Sequence, residues 1–124
     1  MSVMLLSIKP VYAQAILEGK KIYEFRKRRC KEGITKIIFY SSSPVSQVVG
    51  EAEIEDIIEG SPSGIWELAK KQSGIPRAAY REYYKGTKTA IAYKLKNVKV
   101  YEEPKKLSDY GINHVPQSFV YVEE

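Results

Sequence analysis

Gly19-Lys20-Lys21-Ile22-Tyr23-Glu24-Phe25-Arg26-Lys27-Arg28 is where the reading of this chain turns from helix to strand. Upstream, Tyr12, Ala13, Ile16 and Leu17 recur at helical spacing, with Pro10 placed for a first helical turn. Gly19 is a natural stop for a helix over 11–20, and Lys20 and Lys21 suit the negative end of its dipole. From 22 to 28 the period falls to two. Tyr23 and Phe25 face one side of the expected strand, and Glu24, Arg26 and Arg28 the other. That second face carries a carboxylate embedded among cations.

Outward from this point, 3–8 is an apolar run too short for a helix and reads as a buried strand. Further strands are expected over 35–41 and 48–58. In the latter, Val48, Gly50, Ala52 and Ile54 share one side and Glu51, Glu53 and Glu55 the other, until Asp56 breaks the phase. Ser61-Pro62-Ser63 is a helix start, and that helix runs through Trp66, Leu68 and Ala69 to Ser73-Gly74. A second helix starts near Pro76 and carries Ala79, Tyr80, Tyr83 and Tyr84 before Gly86. The long strand over 89–101 changes phase near Asn97, which a bulge explains. A loop over 110–117 and a last strand over 118–122 follow. The order lacks the strand–helix repeat of a parallel sheet. It predicts an α+β, mainly β fold: about six mostly antiparallel strands bent into a small β-barrel, flanked by two to three helices.

The chain has 124 residues. One core usually spans about 100–150 residues, so 1–124 reads as a single domain. A TIM barrel, at about 250 residues, is excluded. Hydrophobic residues make up 44% of the chain, which argues against wholesale disorder. Cys30 is the single cysteine, so no intrachain disulfide can form. With His114 the single histidine, the usual four-ligand Cys/His zinc site cannot be assembled, and no metal or cofactor is expected. A phosphate-binding glycine loop, a dinucleotide fingerprint and a nucleophile elbow are all missing. Apolar runs stay well short of about twenty residues, and the first residues lack a signal-peptide pattern. A membrane-free, cytoplasmic protein is expected.

The formal charge is +5, but it is unevenly placed. Lys20, Lys21, Arg26, Lys27, Arg28, Arg29 and Lys31 crowd one segment, whereas 51–59 holds five acids and no base. The basic segment reads either as an anion-binding face for nucleic-acid backbone or as an edge strand guarded by Lys and Arg against aggregation. Glu24 reads either as an ion-pair partner that orients Arg26 or as a hydrogen-bond acceptor or general base. Ten tyrosines punctuate the elements, and Tyr40 and Tyr84, near chain reversals, are candidates for stacking on a base. Lys9, at the end of the first strand, and Gln117 and Ser118, before the last, are placed to join the same site. The alternating acids over 51–59 look like an exposed strand rather than metal ligands.

Three stretches together resemble the ASCH domain of the PUA-like superfamily: Leu6-Ser7-Ile8-Lys9-Pro10, Gly19 through Arg26, and Pro116-Gln117-Ser118-Phe119. The middle one is similar to that family's G-x-K-x-x-E-x-R signature at Gly19, Lys21, Glu24 and Arg26. The resemblance implies a PUA-like β-barrel with a cleft between barrel and helices, lined by the signature residues. It implies binding of RNA or a nucleotide-like ligand, in RNA metabolism, translation or its regulation. Some bacterial relatives are amidohydrolases of acylated cytidine nucleosides and others have been proposed as ribonucleases. The amidohydrolases use a threonine nucleophile where this chain has Glu24. The expected binding residues are therefore Lys9, Lys21, Glu24, Arg26, Arg28, Tyr40, Tyr84, Gln117 and Ser118. Lys21 and Glu24 are catalytic if the protein is a hydrolase or ribonuclease. A protein–protein adaptor using the acidic strand is the third reading.

Overall fold

A computed structural model describes residues 1–124. The chain runs β1 (Ser2–Ile8), α1 (Pro10–Leu17), β2 (Tyr23–Arg26), β3 (Lys36–Ser41), β4 (Gln47–Gly60), α2 (Pro62–Ala69), α3 (Arg77–Tyr84), β5 (Ala90–Lys105) and β6 (Phe119–Glu123). Short 3₁₀ turns follow α2 and β5. The strands form one sheet in the order β2-β5-β4-β3-β1-β6, with β1 and β3 parallel and every other pair antiparallel.

Local chemistry explains the boundaries. Gly19 sits at φ 78°, the left-handed region, and lets the chain turn out of α1. The backbone N–H groups of Lys20 and Lys21 both donate to the Ala15 carbonyl, at 2.9 and 3.1 Å, which sets Lys21 just ahead of β2. Ser61 caps α2, its Oγ accepting from the Gly64 N–H at 3.1 Å. The phase change near Asn97 is a bulge. Glu51 faces Lys99 while Glu53 faces Lys96, so β5 fits an extra residue there, and Asn97 takes φ 51°. Asp56 marks another register shift, and its carboxylate accepts from the Ile57 N–H at 2.9 Å.

The sheet coils strongly. One apolar cluster joins Met4, Leu6 and Ile8 of β1 to Ile91, Tyr93 and Leu95 of β5, although β3 and β4 lie between them, and α1 adds Ala13 and Ile16. On the other face, Tyr23, Phe25, Ala90 and Ala92 pack against Ile65, Ala69, Tyr80 and Tyr84 of α2 and α3. A third cluster, with Val3, Leu5, Ile38 and Tyr40, backs the far half of the sheet.

The coiled sheet does not close into the expected barrel. β2 and β6 remain its two edges, with no ladder between them. β2 has only four residues, and beyond Arg26 the chain leaves the sheet to bury Cys30 and Ile34 in the first cluster. A side chain spans the gap instead: Arg26 Nη2 donates to the Ser7 carbonyl of β1 at 2.9 Å, and Nη1 to Ser118 Oγ at 3.2 Å. The expected strand over 22–28 therefore stops at Arg26, and Arg28 lies on the turn that follows.

Candidate functional site

Where the two edges of the sheet approach each other, α3 and its leading loop roof a cavity of about 340 Å³. Its floor is built from Lys21, Glu24 and Arg26, which the turn after α1 and the short strand β2 bring into one cluster. Both flanking faces of β2 are used: Tyr23 and Phe25 pack toward α2 and α3, so Glu24 and Arg26 are forced toward the seam.

Lys21 is 2% exposed. Its Nζ donates to the Ser73 carbonyl at 2.7 Å, lies 3.6 Å from Glu24 Oε1, and sits 4.7 Å from the Phe25 ring centroid. Burial disfavours its charged form and pushes the ammonium down to about 8, with nearby Arg26 adding to that effect and Glu24 opposing it. The loop over Lys21 is close-fitting. Gly74 adopts φ +66°, and a methyl group on it would collide with the Lys21 side chain. Glu24 Oε2 accepts from Arg26 Nε at 3.0 Å and Nη2 at 2.8 Å. One carboxylate thus lies between two cations, which leaves the floor net positive. Arg26 spends its planar fork on Glu24, Ser7 and Ser118, which fixes its orientation.

The walls are of different character. Tyr12, Ile75, Ala79 and Tyr83 supply flat and apolar surface, while Lys9, Ser42 and Gln117 stand at the rim. A charged floor beneath aromatic walls suits a planar ring with polar edges that carries negative charge.

Of the residues expected in a site, the structure brings Lys9, Lys21, Glu24, Arg26 and Gln117 to the cavity, with Ser118 bonded to Arg26. It does not bring in Arg28, Tyr40 or Tyr84. Arg28 is exposed beyond the end of β2, its carbonyl accepting from Tyr93 Oη at 3.1 Å. Tyr40 is buried among Val3, Leu5 and Val48, because its parity in β3 faces the third cluster. Tyr84 is buried, and its Oη donates to the Arg26 carbonyl at 2.9 Å, bracing β2 from the far side. Tyr12, Tyr83, Ser7 and Ser42 also line the cavity, beyond the residues that sequence reasoning points to. The signal for Tyr83 was in the sequence: Tyr80 and Tyr84, four apart, share the packed stripe of α3, so Tyr83 flanks it. His114 is exposed and outside the cavity, and Cys30 is buried, its N–H donating to Tyr93 Oη at 2.8 Å. No helix is long and apolar enough to cross a membrane.

Comparison with known proteins fits this architecture. The family described as Domain of unknown function (DUF365) matches residues 4–123. An ASCH domain-containing ribonuclease of Zymomonas mobilis is 33% identical over 93 residues, which is 74% of this chain and 63% of that protein. The large ribosomal subunit protein uL22 of Ureaplasma parvum serovar 3 is 33% identical over 119 residues, which is 95% of this chain. The chain spans only 38% of that relative's length. The crystal structure of ASCH from Zymomonas mobilis superposes with a TM-score of 0.89 at 28% identity, covering 98% of this chain and 88% of the other. The match along nearly the whole chain and the shared fold place the protein: it belongs to the DUF365 family, and it is an ASCH domain protein.

Proposed function

We propose that this protein acts on RNA, and that the seam cavity receives one unpaired nucleotide of a single strand. The observation that carries this reading is the convergence of Lys21, Glu24 and Arg26 on the floor of an open cavity walled by Tyr12 and Tyr83. The volume, about 340 Å³, suits one nucleotide rather than a folded helix. Lys9 and Lys21 supply positive charge for the backbone, Gln117 and Glu24 hydrogen-bond a base edge, and Tyr83 offers a ring face. Similarity to a protein named as a ribonuclease supports the RNA class.

RNA cleavage is the second reading, favoured by a buried Lys21 ammonium pushed down to about 8 beside the Glu24 carboxylate. In it, the 2′-oxygen attacks the adjacent phosphorus as Glu24 Oε1 takes its proton. The departing 5′-oxygen takes a proton from Lys21, leaving a cyclic phosphate end. Amide hydrolysis through a hydroxyl nucleophile has no counterpart at position 24, where a carboxylate is held by Arg26.

Fluorescence anisotropy with a labelled single-stranded oligoribonucleotide tests the main reading. Affinity should fall steeply between about 50 and 200 mM salt. Lys21→Gln should weaken it about tenfold, the loss of roughly 1.4 kcal/mol. A flat salt response with an unaffected Lys21→Gln variant would overturn it. Appearance of products ending in a cyclic phosphate separates cleavage from binding alone.

A further inference from the structure

A second cavity, of about 460 Å³, lies between α2 and α3 and has no part in the seam site. One wall is aromatic: the Trp66 and Tyr80 ring centroids lie 4.8 Å apart at 44°. Tyr80 is locked in place, its Oη donating to the Pro62 carbonyl at 2.7 Å, while Trp66 keeps part of its surface open. At the rim stand Arg77 and Arg81, one helical turn apart, both exposed and neither in an ion pair or side-chain hydrogen bond. The carboxylate at this cavity, Glu67, is tied to Lys70 at 2.8 Å. Two unpaired guanidinium groups beside a half-open indole make a site for a group with both a phosphate and a flat ring.

α3 connects this cavity to the seam. Ala79 and Tyr83 look into the seam cavity, and Arg77, Tyr80 and Arg81 line the second one. A helix with its side chains is about 10 Å across, so a few nucleotides of extended strand reach from one cavity to the other. Single-strand binders use this combination of stacking rings and backbone-tracking cations. An acidic peptide would use the arginines but leave the aromatic wall without a role.

Resting on the RNA reading above, we propose that the cavity between α2 and α3 is a second nucleotide subsite, which takes a neighbouring nucleotide of the same strand across α3. Trp66 stacks on the base, and Arg77 and Arg81 hold its phosphate. The site thereby sets the length of RNA that the protein prefers.

Trp66 is the single tryptophan of the chain, so its emission reports on this cavity alone. The test is titration with a ribonucleoside monophosphate and with an eight-nucleotide single strand, following both anisotropy and tryptophan emission. The long strand should quench Trp66 and bind about tenfold more tightly than the strand does to an Arg77→Gln/Arg81→Gln double variant, a difference of roughly 1.4 kcal/mol. Both arginines are exposed, so the variant is expected to fold. If the strand binds while Trp66 emission and the double variant are unaffected, this subsite is overturned and the seam reading stands. If no RNA binds at all, both fall. Quenching by polyglutamate but not by RNA would overturn the assigned ligand class.

Discussion

Two clusters of opposite charge in this molecule use the same residue types to different ends. On the seam floor, Lys21, Glu24 and Arg26 are held within 2.8 to 3.6 Å and almost removed from water. On the β4–β5 ladder, Glu53 and Asp56 stand opposite Lys96 and Lys94 near the open surface, and Glu55 meets Lys94 at 3.0 Å, whereas Glu51 is half-buried and pairs with Lys36 of β3 at 2.9 Å. Much of the acidic strand is thus faced by lysines of β5 and β3, while Glu59 lies opposite Ile91. Water screens the ladder, so its pairs help solubility and register but contribute little energy. Burial makes each charge on the seam floor depend on the others.

Removing the shared carboxylate breaks the contrast most sharply. Glu24→Gln leaves two cations facing each other with their counter-ion gone, and should cost about 3–5 kcal/mol in urea unfolding. A loss below about 1 kcal/mol would make the seam energetically equivalent to an exposed ladder.

The next effect is a pH dependence of opposite sign in binding and in stability. Lys21 releases its proton near pH 8 in the folded protein, whereas an unfolded lysine keeps it to about 10.5. Above pH 8 the unfolded state therefore binds the extra proton, and Lys21 adds stability as the pH rises through this window. RNA affinity should fall over the same window, because the cavity loses a cation. Thermal melts and anisotropy at matched pH values read the two trends, and Lys21→Gln should flatten both. Parallel trends would mean that another group governs binding.

The smallest effect belongs to the ladder. Glu55→Ala should change stability by no more than about 0.5 kcal/mol, since both partners of that pair are largely exposed. A larger loss in urea unfolding would blur the distinction between the clusters.

Most of the fold was legible because it is written in local periods. The bulge at Asn97 showed as a phase change, α2 as a Ser-Pro start, and the floor of the site as alternation in β2. The failures share a physical cause. Whether a coiled sheet closes depends on contact between β2 and β6, which lie far apart in sequence and carry no local signal. Alternation extended past Arg26 puts Arg28 on the same face, but burial of Cys30 and Ile34 draws the chain away there. Nearness to a turn suggests an accessible Tyr40, but parity in β3 governs a buried strand and turns it toward Val3 and Leu5. Tyr12 lay in plain view on α1. Its position over Lys21, with the ammonium 5.6 Å from its ring, follows from how the helix docks.

The bond from Arg26 to Ser118 joins residues 92 positions apart. It needs β6 to be paired with β1, where the Ser7 N–H holds the Ser118 carbonyl at 2.9 Å. During synthesis, the ribosome adds residues 27–117 before the Ser118 anchor of Arg26 exists. The helices and the long hairpin can form earlier, but the seam is finished only when the final strand has docked. A nascent or C-terminally clipped chain would keep the Lys21–Glu24–Arg26 floor and the bond to Ser7 but lack Ser118 and Gln117, so the seam is the last part of the cleft to be completed.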